Sequence, residues 1–213
     1  MITIHHLGVS QSERIIWLCE ELGLPYELKA YVRDANTRMA PPTLRDIHPL
    51  GSAPVISDGG RVLAESGAIV EYILERYGAG GLRPASETSA YADYLYWLHY
   101  ANGTLMPSVM LGFVIGMPLA DNVVHPMAAM FAARLQRNLL WVENRLAQVK
   151  FVAGAEFTAA DILMHFPFGT MRAFAPMDMS QRPNTRAWLA RISARPAYQK
   201  AMRLAGHERD PAA

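Results

Sequence analysis

Two serines beside a predicted helix start are the residues best suited to chemistry. In GVSQSER, residues 8 to 14, Ser10 and Glu13 have the S-x-x-E spacing of a helix capping box. A hydroxyl there also lies near backbone N–H groups without a helical partner, where an anion is stabilised. Ser10 therefore either caps the helix or donates a hydrogen bond to a reacting atom, and one role does not exclude the other. Ser12, further into the helix, is the alternative donor.

Two other polar pairs precede predicted helices. Glu65 and Ser66 stand before an apolar helical segment, where Ser66 is suited to capping. Thr158 and Asp161 have the spacing of a capping box before another helix. We expect this second pair to serve folding, so that loss of Asp161 reduces stability before it reduces activity.

Cysteine and histidine placement argues against metal or disulfide chemistry. Cys19 is the only cysteine, which excludes a disulfide or a CxxC pair within the chain, and it lies in an apolar helical stripe. His5 and His6 on the first strand have no spaced partner that would form a metal site. His99, in an aromatic-rich helix, is interpreted as a satisfied core histidine.

The first part of the chain alternates strands and helices. Residues 2 to 6, 12 to 22 and 26 to 32 are predicted as strand, helix and strand, with parallel pairing favoured by the crossover helix. Asp58-Gly59-Gly60 between two apolar runs indicates a β-hairpin. A helix from residue 65 to Gly78 closes this part.

From residue 88 onward the strand signal disappears and helical periodicity dominates. Residues 78 to 87 are predicted as a linker, and the sequence TRAWLARISARPAYQKAMRLAG as two short helices split at Pro196. One long helix has an apolar stripe formed by Leu135, Leu139, Val142, Leu146 and Val149.

Composition sets limits on the partners. The chain has 213 residues, 18% of them charged, and a formal net charge of +1, so neither nucleic acid nor a membrane is expected as a partner. The start has no basic region followed by an apolar run, and the most apolar segment, 107 to 120, is too short to cross a bilayer. A cytoplasmic protein is expected.

Four segments, in order and spacing, resemble the cytosolic glutathione transferases, particularly bacterial and fungal members with a catalytic serine. They are SQSERIIWLCEELGLPYEL, HPLGSAPVISDGGRVLAESGAIVEYI, GAEFTAADI and RPAYQKAM. The resemblance implies an α/β thioredoxin-like N-terminal domain over residues 1 to 79 and an all-α C-terminal domain over residues 88 to 213. It also implies a homodimer, and glutathione as co-substrate without a metal.

The resemblance assigns roles to residues of the first domain. Ser10, with Ser12 as the alternative, would donate a hydrogen bond to the glutathione sulfur. A cis peptide bond before Pro54 would turn the backbone of Ala53 toward the cysteinyl part of glutathione, while Glu65 and Ser66 would hold its γ-glutamyl end. Ser52 departs from the lysine or glutamine of many relatives, which predicts a weaker hold on the glycine carboxylate.

The second domain would carry the hydrophobic-substrate site for a small apolar electrophile. Each proposed residue of this site is equally consistent with an ordinary core position. They are Trp97, Tyr100, Thr104, Met106, Met110 and Phe113.

The resemblance leaves several functions open. Conjugation of glutathione to an electrophile is the leading hypothesis. Because a fold does not by itself determine function, two kinds of alternative remain. One is a non-catalytic ligand carrier or protein-interaction module on the same fold. The other is a glutathione-dependent peroxidase, isomerase or dehalogenase.

Overall fold

The computed structural model describes residues 1–117 and 125–207, and the chain forms two compact units. Unit 1 contains Met1–Arg83 together with the described residues from Ser193 onward, and unit 2 contains Pro84–Ile192. The predicted second domain, 88 to 213, includes positions 118 to 124 and 208 to 213, which lie outside the described residues.

Unit 1 is built on a four-stranded mixed sheet with the strand order β2-β1-β3-β4. β1 (Ile2–Leu7) pairs in parallel with β2 (Tyr26–Tyr31) and antiparallel with β3 (Val55–Asp58), which forms a hairpin with β4 (Arg61–Ala64). The predicted parallel pairing and the hairpin at Asp58-Gly59-Gly60 are both confirmed.

Helix α1 (Glu13–Leu22) connects β1 with β2 and carries the predicted apolar stripe. Ile15, Leu18 and Cys19 are fully buried, and Gly23 ends the helix with a left-handed φ of 62° that glycine adopts at little cost. Helix α2 (Ser66–Tyr77) follows β4 and buries one apolar face, as predicted.

The C-terminal helix α8 (Pro196–Leu204) packs on α1 and so belongs to unit 1. Arg195, just before it, donates to both carboxylate oxygens of Glu21 at 2.6 and 2.7 Å, and Lys200 lies 2.7 Å from Glu20. The Trp17 and Tyr198 rings also meet edge to face, with centroids 4.9 Å apart, so both charges and aromatic rings far apart in sequence join the two helices.

Unit 2 is all-helical. α3 (Ala90–Tyr100) continues through a π-helical turn, Ala101–Leu105, into α4 (Met106–Gly116). On α5 (Ala128–Leu146), Leu139, Val142 and Leu146 of the predicted stripe are buried. α6 (Ala159–Phe168) and α7 (Pro183–Ser193) complete the unit. Among the described residues, none of these helices is long and apolar enough to traverse a bilayer.

The predicted capping box at the start of α6 is confirmed. The Thr158 backbone N–H donates to Asp161 at 2.9 Å, and the two side chains complete the reciprocal box. Asp161 is fully buried and also accepts hydrogen bonds from the Val152 backbone and the Trp188 indole at 3.0 and 2.9 Å. This one carboxylate joins the start of α6, the preceding turn and α7, which supports a structural role.

Candidate active site

The two early serines lie between β1 and α1, and both are buried. Ser12 has no exposed surface, whereas Ser10 retains 9% exposure. Their hydroxyl oxygens are 2.7 Å apart, and the Ser10 hydroxyl donates to the backbone carbonyl of Leu7 at 2.6 Å. The chain therefore brings both candidate donors together and leaves only Ser10 with access to the surface.

The predicted capping box formed by Ser10 and Glu13 is wrong. α1 begins at Glu13 with Ser12 as its N-cap residue, and no side chain caps this end. The Ser10 side chain turns back to Leu7, while the Glu13 carboxylate lies 2.9 Å from Nε2 of His207. The helix begins too late for Ser10 to be its N-cap residue, so both partners of the expected box have other contacts.

Ser12 is held by contacts that fix its orientation. Its oxygen accepts the Leu7 backbone N–H at 3.2 Å and lies 2.8 Å from Nδ1 of His6. The second ring nitrogen of His6 lies 3.2 Å from the Ala205 carbonyl. Because a carbonyl oxygen only accepts, that nitrogen carries a hydrogen, and in the neutral ring Nδ1 accepts the Ser12 hydrogen. Ser12 is thus held inside the protein, with no surface that a ligand could reach.

Arg33 holds the loop before Ser10. Its guanidinium donates to the carbonyl oxygens of Gly8 at 2.9 Å and Val9 at 3.1 Å. Val9 has a φ of 52°, which is a strained backbone conformation for a β-branched residue. The sequence gives no local signal for this role of Arg33, since its partners lie more than twenty residues away.

A second cluster links the start of α1 with the start of α2. The Arg14 guanidinium donates to Gln11 Oε1 at 2.5 Å and to the Ser66 hydroxyl at 3.3 Å, and Ser66 donates to Gln11 at 3.1 Å. Burial lowers the pKa of Arg14 to about 9, against a smaller raising effect of Glu13. Ser66 does not cap α2, contrary to the capping interpretation, because Glu65 is the N-cap residue and Ser66 faces the cluster.

Glu65 and the Ala53–Pro54 bond have unusual backbone geometry. The Ala53–Pro54 peptide bond is cis, as expected. Glu65 has a φ of 70° with an exposed side chain directly before α2. Such strain in a non-glycine residue is concentrated at ligand-binding positions. Ser52 is exposed beside this turn.

Cys19 takes no part in this site. It is fully buried within α1, and burial, with a smaller contribution from Glu20, raises the pKa of its thiol to about 12. A thiol in that environment is inert as a nucleophile, which confirms its interpretation as a small buried hydrophobic residue.

Unit 2 contains an open cavity of about 750 Å³ beside the π-helical turn. Tyr100 and Thr104 of the predicted hydrophobic-substrate site line it, whereas Trp97 is buried and stacks on Trp141. The remaining predicted residues, Met106, Met110 and Phe113, lie on α4 and do not line this cavity.

Other lining residues of the cavity were not anticipated. His99, which the sequence predicts to be a core histidine, is exposed and lines the cavity, because it lies on the outer side of α3. The complete lining is Leu95, Tyr96, His99, Tyr100, Gly103, Thr104, Asn138 and Trp141. The spacing of Tyr96, His99, Tyr100 and Gly103 along one helical face was the available signal.

Two segments of this chain match models of a known protein family. Residues 10–76 match the family model described as glutathione S-transferase, N-terminal domain, and residues 120–196 match glutathione S-transferase, C-terminal domain. Glutathione S-transferase 3 of Schizosaccharomyces pombe is 34% identical over an alignment that covers 92% of this chain and 85% of the relative.

Solved structures that resemble this chain belong to the same family as the relatives found by sequence. A glutathione S-transferase from Actinobacillus pleuropneumoniae has a TM-score of 0.86 and 36% identity, covering 97% of this chain and 93% of that one. A theta class glutathione S-transferase from Xanthomonas axonopodis pv. citri, solved with glutathione bound, has a TM-score of 0.73 and 28% identity, covering 94% and 96%. The chain therefore belongs to the glutathione S-transferase family.

Proposed function

We propose that this protein binds reduced glutathione on unit 1, stabilises its sulfur as a thiolate beside Ser10, and transfers it to small apolar electrophiles. The observation that carries the proposal is the placement of Ser10 as the less buried hydroxyl of the serine pair, near the start of α1. Ser12 is the less suitable donor, because it is fully buried, whereas the Ser10 hydroxyl needs only to turn from the Leu7 carbonyl toward the sulfur.

The energy required is within reach of this arrangement. A free thiol has a pKa of about 8.5, and lowering it by about two units requires about 2.7 kcal/mol of selective anion stabilisation. A hydrogen bond to a charged group contributes about 1.5–3 kcal/mol. The helix terminus contributes about 0.3–1 kcal/mol more. The two contributions suffice without a metal ion.

The γ-glutamyl end of glutathione would lie at the start of α2. Its γ-glutamyl carboxylate would meet the Ser66 hydroxyl, the helix N-terminus and the buried Arg14 cation, while exposed Glu65 would pair with the ammonium group. The backbone of Ala53 would pair with the cysteinyl part. Ser52 offers the glycine carboxylate only a short, uncharged hydroxyl.

We assign the electrophile to the aromatic cavity of unit 2. Tyr96 and Tyr100 stack with centroids 5.6 Å apart, and Trp141 adds a third ring at its wall. The lining combines these ring faces with the polar groups of His99, Thr104 and Asn138, which suits an apolar ligand that carries a polar group. Trp97 would support this wall from beneath, and Met106, Met110 and Phe113 would extend the apolar surface along α4.

Two further properties are proposed by analogy with the family. We propose a homodimer, which light scattering would test, and note that α4 exposes the apolar side chains of Leu111 and Val114. We also propose a cytoplasmic location, since the one cysteine is free and buried.

Glutathione affinity and turnover of a generic aryl halide test the proposal, measured for the wild type and for Ser10→Ala. We expect glutathione binding in both proteins and a collapse of turnover in the variant. No binding at millimolar glutathione would favour a carrier on the same fold, and equal turnover in both would remove Ser10 from the mechanism. Turnover of peroxides or isomerisable substrates alone would identify one of the other glutathione-dependent activities.

A further inference from the structure

Three close polar contacts lead from Ser10 into the protein. Ser10 Oγ lies 2.6 Å from the Leu7 carbonyl oxygen and 2.7 Å from Ser12 Oγ, which lies 2.8 Å from Nδ1 of His6. Each distance lies in the range of a hydrogen bond, so each contact is favourable only with a hydrogen between its two atoms. The cluster is closed at its far end by the Ala205 carbonyl, 3.2 Å from Nε2 of His6.

The number of available hydrogens falls short of the number of contacts. The two serine hydroxyls supply one hydrogen each, and a neutral His6 supplies only the one on Nε2, which Ala205 accepts. Three short contacts thus share two hydrogens. A third hydrogen on Nδ1 of His6 would let His6 donate to Ser12 and Ser12 donate to Ser10, which leaves the Ser10 hydrogen for the Leu7 carbonyl or for the sulfur of a ligand. The cluster has room for one additional proton.

Glutathione brings such a proton with its thiol. We propose that His6 receives the thiol proton of glutathione through Ser10 and Ser12 when the thiolate forms, an inference that rests on the proposed function. The S–H bond breaks and leaves its electron pair on sulfur. Ser10 takes that proton and passes its own to Ser12, and Ser12 passes its own to Nδ1 of His6. A neutral thiol and a neutral ring become a thiolate and an imidazolium, and both serines remain neutral.

The surroundings of His6 keep the ring neutral until a negative charge forms nearby. Burial is the largest effect and lowers the pKa of His6, which opposes protonation before glutathione binds. Among the described residues, two other ionisable groups shift the pKa of His6. Glu13 of α1 raises this pKa, and His207 of the C-terminal segment lowers it. A thiolate at the other end of the cluster adds a further negative charge.

His6 does not touch glutathione in this scheme and is a positioning residue, so its protonation must be measured directly. Nitrogen NMR of the wild-type histidine rings reports it, with glutathione and the thiol-free analogue S-methylglutathione compared at neutral pH. We expect His6 to change from the neutral to the charged ring with glutathione only. His5 is the internal reference, since its ring bonds to Tyr31 and Ser57 instead. A His6 ring that stays neutral while the bound thiolate forms would overturn the proposal.

Variants test the route with a second readout. We would count protons released to buffer by calorimetry and bound thiolate by ultraviolet absorbance, in the wild type, His6→Gln and Ser12→Ala. His5→Gln is the matched control, because His5 is equally buried on the same strand. We expect the wild type and His5→Gln to form thiolate while releasing well under one proton.

In His6→Gln and Ser12→Ala we expect the thiol pKa to rise by about one unit, a tenfold loss of thiolate at a pH below it. In these two variants, each thiolate that still forms should release one proton to the buffer. If the wild type releases one proton per thiolate, the proposed role of His6 is overturned, while the proposed function is not affected. A wild type that binds no glutathione would instead overturn the proposed function, so the two failures are distinguishable.

Discussion

The Ser66 hydroxyl donates a 3.1 Å hydrogen bond to Gln11 Oε1 across 55 positions of the sequence. This bond joins the N-terminus of α2 to the loop that carries Ser10. The bond therefore fixes the spacing between the two ends of the proposed glutathione site. A bound glutathione would not need to rearrange these side chains.

Removal of Gln11 should weaken glutathione binding more than it weakens folding. In Gln11→Ala, Arg14 and Ser66 lose a shared acceptor, and we expect the glutathione Kd to rise about tenfold, equivalent to about 1.4 kcal/mol. Calorimetric titration would measure it, with the exposed Gln148→Ala as control. An unchanged Kd would show that the link does not organise the site.

Arg33 should influence turnover without contacting substrate. Arg33→Ala releases the Gly8 and Val9 carbonyls, and because Ser10 follows directly we expect kcat to fall about tenfold through misplacement of its hydroxyl. Arg33→Lys should show the same loss of kcat, since an ammonium group lacks the planar fork of donors. Full activity in Arg33→Ala would contradict this role of the loop.

Asp161 should matter for stability alone. Asp161→Asn leaves buried donors of Val152, Thr158 and Trp188 poorly matched, and we expect a loss on the order of 3 kcal/mol in the free energy of unfolding. Urea denaturation would measure the loss, with Thr158→Ser, which keeps the hydroxyl, as the mild comparison. Normal stability combined with lost turnover would reverse the assignment.

Glu143 should make unit 2 sensitive to acid. Burial alone would raise the pKa of this carboxyl, but donors from Thr185 and Asn184 outweigh it and hold the pKa below its ordinary value. The unfolded chain then binds more protons than the folded one, so stability is present above about pH 4.3 and is lost as the pH falls through the folded pKa.

Glu143→Gln should remove part of this acid sensitivity. We expect it to cost about 2 kcal/mol at neutral pH, because the amide cannot accept from all four donors, and to flatten the stability profile below pH 5. Urea midpoints across pH would show this, with the exposed Glu156→Gln as control. Identical slopes in the variant and the wild type would refute the assignment.

Local patterns predicted much of unit 1. The helix over residues 12 to 22, the apolar stripe that contains Cys19 and the Asp58-Gly59-Gly60 turn are each encoded within a few residues. The packing of α8 on α1 was not predictable in this way. It depends on pairs such as Arg195 with Glu21, which are 174 positions apart and leave no periodic signal.

The site was only partly predictable for the same reason. Resemblance indicated Ser10, Ser12, Pro54 and Ser66, and the structure brings Ser10 and Ser12 into direct contact. The contacts of Ser12 with His6 and the exposure of His99 depend on the three-dimensional surroundings of each residue. The spacing of Ser10 and Glu13 suggested a capping box that the later start of α1 prevents.

Stabilisation of the glutathione thiolate by Ser10 can be measured by a pH titration of bound thiolate absorbance in the wild type and Ser10→Ala. We predict that the pKa of the bound thiol rises by about one to two units in the variant, while glutathione still binds. The exposed Ser86→Ala should match the wild type. The same thiol pKa in the wild type and Ser10→Ala would contradict this role of Ser10.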